Sequence, residues 1–357
     1  LRDALTKQGV KQLIDCILHN EHNITTAQVL NEKTFVNAIV TLHATGGSTN
    51  LVLHLCAMAQ SGGIILNLDD FADLSSITPL LTRVYPNGLA DINHFHAAGG
   101  TPFVISQLLD LGLLHEDVLT ITGHGLTPYR KEPFLNRNQQ VVWKDCDQKS
   151  GDEQVIRPTS NPFADQGGLT CLNGNMGQAI IKTSSVSKER HVIKAQACVF
   201  NSQEDVQNAF DQGTLEKDCV IVVRYQGPKA NGMPELHSLT PLLSILQDKG
   251  YHVALLTDGR MSGASGKVPA AIHLSPEAMD NGVIAKIENG DLIEINATSA
   301  QLILHVAKDI LDKRKITKPD LSQNQTGLGR DLFTLFRQHA SPATEGASIL
   351  FTQTKTG

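Results

Sequence analysis

A chain of 357 residues has the length of two domains and can bury a full core without disulfide or metal staples. Hydrophobic residues make up 41% and charged residues 18%, so little of it reads as solvating or disordered. The 36 acidic against 30 basic residues leave a net charge of −6, and aromatics are only 4%, which argues against a nucleic-acid or anionic-membrane partner.

The opening LRDALTKQ has no Met and no signal-like apolar stretch, and it already looks helical, as a segment cut from a longer polypeptide would. Apolar residues spaced i, i+3, i+4 predict helices over 33–42 and 51–60, with a short strand at Gly63–Leu66. A third helix is predicted over 103–114, opened by Gly99-Gly100-Thr101-Pro102. Residues 130–170 read as polar and irregular, with an acidic stretch around Asp145, Asp147, Asp152 and Glu153. A domain boundary is expected there, near 160, dividing the chain into 1–160 and 161–357.

Beyond it the texture changes to β-rich runs at 179–186, 192–200, 219–225 and 252–257. Residues 283–305 continue the pattern and contain the hairpin signal Asn289-Gly290. Helices are predicted at 202–210, capped by Ser202, and at 238–250, stopped by Gly250, with closing helices at 306–315 and 330–339. The sum is an α/β chain whose second part is a compact barrel-like domain. No apolar run approaches 18 residues, so no membrane span is expected, and without an export signal the expected place is cytoplasmic.

The six cysteines, at 16, 56, 146, 171, 198 and 219, lie no closer than 21 residues apart, which excludes CxxC ribbons and zinc-finger spacing. Most of them read as plain buried thiols. The densest cluster of unusual residues is TDGRMSGASGKVP at 257–269, a buried strand running into a small, hydroxyl-rich turn. It is neither a phosphate-binding P-loop, since Val268 follows Gly266-Lys267, nor a GxSxG nucleophile elbow. An active-site loop and an ordinary glycine-rich turn both fit.

QGPKANGMPE at 226–235 follows strand CVIVVRY and presents Lys229 and Glu235. A carboxylate on a stiff Pro-Glu step suits a hard cation, and equally suits the first turn of a helix. HATGGSTN at 43–50 sets backbone N–H groups at a helix start, where an anion or simple capping by Ser48 or Thr49 would use them. The 14 histidines form no HExxH; the pairs His19/His22 and His94/His96 lack a carboxylate at ligand spacing.

Together, ATGGSTN (44–50), YPNGLADINHFHAAGG (85–100), GLLHEDVLTITGHGL (112–126), GPKANGMPELH (227–237) and TDGRMSGASGKVPAAIH (257–273) resemble the family of dihydroxy-acid and sugar-acid dehydratases from end to end. GGSTN, GMPE and DGR-x-SG are shared across that family. NHFHAAGG, GPKANGMPELH and SGASGKVPAAIH are similar to its phosphogluconate branch. The resemblance implies that the chain is about the C-terminal three-fifths of a longer protein. The family's iron–sulfur ([4Fe–4S]) cysteines and most of its divalent-metal ligands would then lie upstream. It also implies the end of a first α/β domain followed by a barrel similar to the swivelling domain of aconitase-type enzymes, with the active site between them, and a homodimer.

The activity so implied is dehydration of 6-phosphogluconate to 2-keto-3-deoxy-6-phosphogluconate in the Entner–Doudoroff pathway. The C2 proton must be removed and the C3 hydroxyl expelled, hydroxide being a leaving group that needs a Lewis-acidic iron. By resemblance Ser262 is the base that takes the C2 proton, within reach of Arg260, and Glu235 is the ligand of Mg2+ or Mn2+. Lys267 and Lys229 flank the mapped site and are candidates for the substrate and its phosphate, as is Gly327-Leu328-Gly329-Arg330. Two rivals stand: a dehydratase for an unphosphorylated sugar acid or a dihydroxy acid, and a non-catalytic module derived from the same fold.

Overall fold

The computed structural model describes residues 1–18, 24–261, 267–327 and 329–350. Two compact units emerge, one of Leu1–Thr45 with Ser76–Gly167 and one of Gly46–Ser75 with Gly168–Gly357.

Helices come first: α1 (Arg2–Leu18), α2 (Thr26–Val29), α3 (Glu32–Ala44), α4 (Thr49–Ser61) and α5 (Leu68–Ile77). Asn31 caps α3 by accepting from the Thr34 N–H, and Ser48 caps α4 by accepting from the Asn50 N–H. The strand predicted at 63–66 is not formed; those residues run unpaired into α5. Next come α6 (Ile92–Ala97) and α7 (Gly100–Asp110). Asp91 caps α6, accepting from the Asn93 and His94 N–H groups, and the His94 ring lies 2.8 Å from its carboxylate, so His94 is spent on the cap. Helix α7 ends four residues before its predicted limit, because Gly112 turns to a φ of 73° that a helix cannot continue. The first unit's buried side chains include Phe35, Ile39 and Leu42 of α3 and Phe103, Val104 and Leu108 of α7.

Two ribbons complete this unit: β1 (Leu119–Thr120) with β2 (Gly123–His124), and β3 (Lys131–Leu135) with β4 (Val141–Asp145). The second is a hairpin inside the stretch predicted to be irregular. Its polar turn holds Gln139 at a φ of 59°, and its faces are half-exposed, so no apolar alternation announced it.

Besides α4 and most of α5, the second unit is a closed eight-stranded barrel. Its elements are β5 (Leu169–Gly174), β6 (Gly177–Lys182), β7 (Val192–Phe200), α8 (Gln203–Asp211), β8 (Cys219–Val223), α9 (Pro228–Asn231), α10 (Leu239–Asp248), β9 (Val253–Thr257), β10 (Ala270–Ser275), β11 (Leu292–Asn296) and β12 (Gln301–Leu304). The strand order is β10-β6-β5-β12-β11-β7-β8-β9, closed by parallel pairing of β9 with β10. Inward-facing residues alternate: Ile193, Ala195 and Ala197 on β7, Val220 and Val222 on β8, Ala254 and Leu256 on β9, Ile293 and Ile295 on β11. The opposite faces of β8 and β9 are buried as well, and α10 brings Leu239, Leu242, Leu243 and Leu246 into the core beside β9. That double burial explains the unbroken run Cys219–Val223.

The hairpin expected at Asn289-Gly290 is not there. Residues Val283–Lys286 form a 3-10 turn, and the hairpin is β11–β12, turning at 297–300. Asn289 instead accepts from the Val199 N–H and Gly290 donates to Ala197 C=O, so pairing with β7 decides the local geometry. After the barrel come α11 (Lys308–Lys313), α12 (Ser322–Gln325) and α13 (Thr334–His339), shorter than the closing helices predicted.

Candidate functional site

The two loops singled out above leave the C-terminal ends of adjacent parallel strands: 224–238 follows β8, and 258–269 follows β9. Carboxyl ends of parallel strands are where α/β sheets place their ligands. Glu235 and Arg260 meet there as an isolated parallel bridge, the Leu236 N–H donating to Arg260 C=O at 2.9 Å. The Arg260 guanidinium donates to Met233 C=O at 2.6 Å and to Glu235 Oε1 at 3.0 Å. Asn50, in the first turn of α4, donates its amide to the same carboxylate oxygen at 3.2 Å. Glu235 is therefore not the start of a helix, since α10 begins only at Leu239. About a third of each side chain of the ion pair stays open to solvent, 30% for Arg260 and 37% for Glu235.

Two buried carboxylates fix this corner. Asp258 accepts from the backbone N–H groups of Tyr225, Gln226 and Ala278, and Glu277 from those of Lys229 and Ala230. Burial pushes the Asp258 carboxyl up to about 6 and that of Glu277 up to about 7, against the N–H groups that pull both down. The approach is close enough to require Gly227: a Cβ there would stand 2.4 Å from Glu277 Oε2. Tyr225 and Met233 hold φ values of 60° and 55°, so the segment that leads from β8 to Glu235 turns sharply at both residues.

His273 on β10 closes the site from a third strand. Its N–H donates to Gly259 C=O at 2.9 Å, next to Arg260. The ring is buried, and its Nε2 has no hydrogen-bond partner among the described residues. Burial, then the charges of Arg260 and His54, push its pKa down to about 3, so the imidazole is neutral. Asn50 Oδ1 is buried and unpartnered in the same way. Sequence reasoning missed Asn50, Asp258, His273 and Glu277, although all lie in or beside the quoted strings.

Of the residues proposed from sequence, Glu235 and Arg260 come together. Ser262 lies outside the described residues, as do Ser265, His19, His22 and Leu328. Lys229 binds Asp280, its ammonium 2.6 and 2.9 Å from the two carboxylate oxygens. Lys267 is exposed. Arg330 donates to Asn324 C=O at 2.8 Å and to Asn231 Oδ1 at 3.5 Å.

No group of three or more His, Cys, Asp or Glu among the described residues could hold a metal ion by itself. All six cysteines are free thiols. Burial holds Cys56 and Cys171 up at about 12, and Cys198 shares a hydrogen bond with Cys219 from the next strand. They do not fit an iron–sulfur cluster, which takes a set of convergent thiolates. A hard divalent cation fits better: Glu235 offers a carboxylate and Asn50 an orphaned amide oxygen, both oxygen donors of the kind magnesium takes.

Residues 154–347 match the family described as dihydroxy-acid/6-phosphogluconate dehydratase, C-terminal, and residues 1–129 match its N-terminal counterpart. The chain belongs to this family. Phosphogluconate dehydratase of Escherichia coli (strain K12) is 50% identical over 350 residues, covering 98% of this chain and 58% of the relative. The phosphogluconate dehydratase of Rhizobium meliloti is 51% identical over 351 residues, with the same coverage of 98% and 58%. A dihydroxy-acid dehydratase of Caldanaerobacter subterraneus subsp. tengcongensis is 38% identical over 317 residues, covering 88% and 53%. The chain thus spans a little under three fifths of the length of the phosphogluconate dehydratases it matches. No described helix is long and apolar enough to cross a membrane.

Proposed function

We propose that this chain carries part of the active site of a hydro-lyase that converts 6-phospho-D-gluconate to 2-dehydro-3-deoxy-6-phosphogluconate. What supports the reading is the constellation of Glu235, Arg260 and Asn50 at the ends of β8 and β9, in a chain half identical to proteins named phosphogluconate dehydratase. Ser262 is the proton acceptor at C2. A hydroxyl as weakly acidic as water costs about 12 kcal/mol to ionise at pH 7, so Ser262 needs a positive neighbour. Arg260, two residues earlier, supplies one. Glu235 and Asn50 Oδ1 would hold Mg2+ or Mn2+, which when bound supplies positive charge to the carboxylate and enolate of the substrate. Arg260 binds the anionic substrate, and Lys267 and Lys229 serve its phosphate, with Lys229 the weaker candidate because Asp280 already neutralises it.

The same reading makes the protein a cytoplasmic homodimer. It divides the chain into domains at residue 160 and likens the barrel to the swivelling domain of aconitase-type enzymes. The test is a substrate panel on the full-length protein: 6-phosphogluconate, unphosphorylated gluconate and a branched 2,3-dihydroxy acid, followed by keto-acid formation. The expected result is the highest kcat/KM for 6-phosphogluconate. Preference for an unphosphorylated acid, or no turnover of any of the three, overturns the reading.

A further inference from the structure

We propose that His273 is a further substrate-contacting residue of this site, its Nε2 donating a hydrogen bond to the carboxylate of the sugar acid beside Arg260. The inference rests on the sugar-acid reading above and goes beyond it by naming the second group that receives the acid. Three observations carry it. The first is burial without a partner: a core histidine retained only for packing normally has its ring nitrogens satisfied, yet Nε2 is buried and has none among the described residues. A buried donor left unmade is a standing cost, which a ligand arriving at that nitrogen would remove.

The second is placement. The β10–β6 ladder breaks register between Ile272 and Ser275, and His273 sits in that break at a φ of 58°, a conformation costly for a side chain with a Cβ. Such irregularities re-aim a side chain out of strand alternation. Its backbone N–H is tied to Gly259 C=O, next to Arg260 in the chain, and the ring lies within reach of the charges of Arg260 and of His54 on α4.

The third is complementarity. Burial, with the charge of Arg260 adding to it, keeps the imidazole neutral, so in the Nε2–H tautomer it is a donor that suits an anionic oxygen. Asn50 Oδ1, the other unpartnered atom, is an acceptor that suits a hydroxyl or a cation. A 2-hydroxy acid offers both demands on adjacent carbons, a carboxylate at C1 and a hydroxyl at C2.

The experiment uses the full-length enzyme with His273→Leu and His273→Gln, and wild type beside them. Leu removes the orphaned nitrogen from a buried position, so its Tm should equal or exceed that of wild type, while kcat/KM for 6-phosphogluconate falls about 10- to 150-fold. Gln, whose amide reaches as far as Nε2, should recover most of the loss. The fall should be the same for unphosphorylated gluconate, which keeps C1 and C2. Wild-type kcat/KM in His273→Leu overturns the proposal, as does a lowered Tm in both variants with activity lost in proportion to unfolded protein. A wild type that turns over neither acid overturns the sugar-acid reading instead.

Discussion

In the parallel half of the barrel, β7 to β10, successive strands are joined by long segments that include α8 and α10, whereas β5–β6 and β11–β12 are joined by turns of two and four residues. Every group of the candidate site that the barrel strands deliver comes from the parallel half or from the segments that follow its strands: Glu235 after β8, Asp258 and Arg260 after β9, His273 on β10 and Glu277 just after it. The antiparallel half contributes inward apolar residues such as Leu302 and Leu304, and its two turns, 175–176 and 297–300, carry no titratable side chain. Parallel neighbours cannot be joined by a tight turn, so the chain must return the length of the sheet. The surplus backbone at the strand ends is what carries polar chemistry. A hairpin turn has no residues to spare.

If this division holds, changes in the parallel half should cost turnover and changes in the antiparallel half should cost stability. The largest effect is expected at Ser262. In the full-length enzyme Ser262→Ala should lower turnover by about 10²- to 10⁴-fold and abolish exchange of the substrate's C2 proton with deuterium, while the melting curve stays put. Ser265→Ala serves as the loop control, and a loss confined to Ser265→Ala would remove Ser262 from the mechanism.

On the other side, Leu302→Ala leaves a cavity inside the barrel at a residue with no exposed surface. Urea unfolding should show a loss of about 2–5 kcal/mol. KM of the enzyme that remains folded should not change. A raised KM would mean that the antiparallel half also shapes the site.

Lys267→Ala comes next. Loss of a charged hydrogen bond to phosphate, roughly 1.5–3 kcal/mol, should raise KM for 6-phosphogluconate about 10- to 150-fold more than for gluconate. Equal effects on both acids would return Lys267 to the status of a solvated charge.

The smallest effect concerns the buried carboxylates. Glu277 has its pKa raised from 4.5 to about 7 in the folded chain, so between those values the folded state binds the proton more tightly than the unfolded one. Wild-type stability should fall as pH rises through that window and level off above it. Glu277→Gln cannot titrate, so its stability deficit against wild type should narrow from pH 5 to 7, by about 1.4 kcal/mol per pH unit at most. A deficit that widens with pH would mean that the folded state prefers the ionised carboxylate.

Much of the parallel half is legible in the sequence. Residues 192–200 and 219–223 declare themselves because one alternates and the other, buried on both faces, does not. Ser202 and Gly250 mark α8 and α10 for local reasons, a side-chain cap and a φ of 96°. The strand predicted at 179–186 starts at Gly177 and ends at Lys182, and β5 and β10 were not foreseen. Both are six-residue runs with a partner distant in sequence, β12 for β5 and β6 for β10, so their apolar alternation is brief and those partners are invisible. Asn289-Gly290 shows the opposite failure: Gly290 does adopt a turn conformation, with a φ of 91°, but the residues before it never form the strand a hairpin needs.

The candidate site divides along the same line. Motif strings in the sequence determined Glu235, Arg260 and Ser262 as candidates, because residue type and order survive without coordinates, and they determined the family. Only the tertiary structure decided that Glu235 meets Arg260 across 25 residues of chain and meets Asn50 across 185, since neighbouring parallel strands bring their C-terminal ends together. It alone decided that Lys229 is paired with Asp280 and that His94 is a helix cap rather than a ligand. The same holds for Asp258, Glu277 and His273. Their roles depend on burial and on which backbone groups face them, and neither is a property of neighbours along the chain.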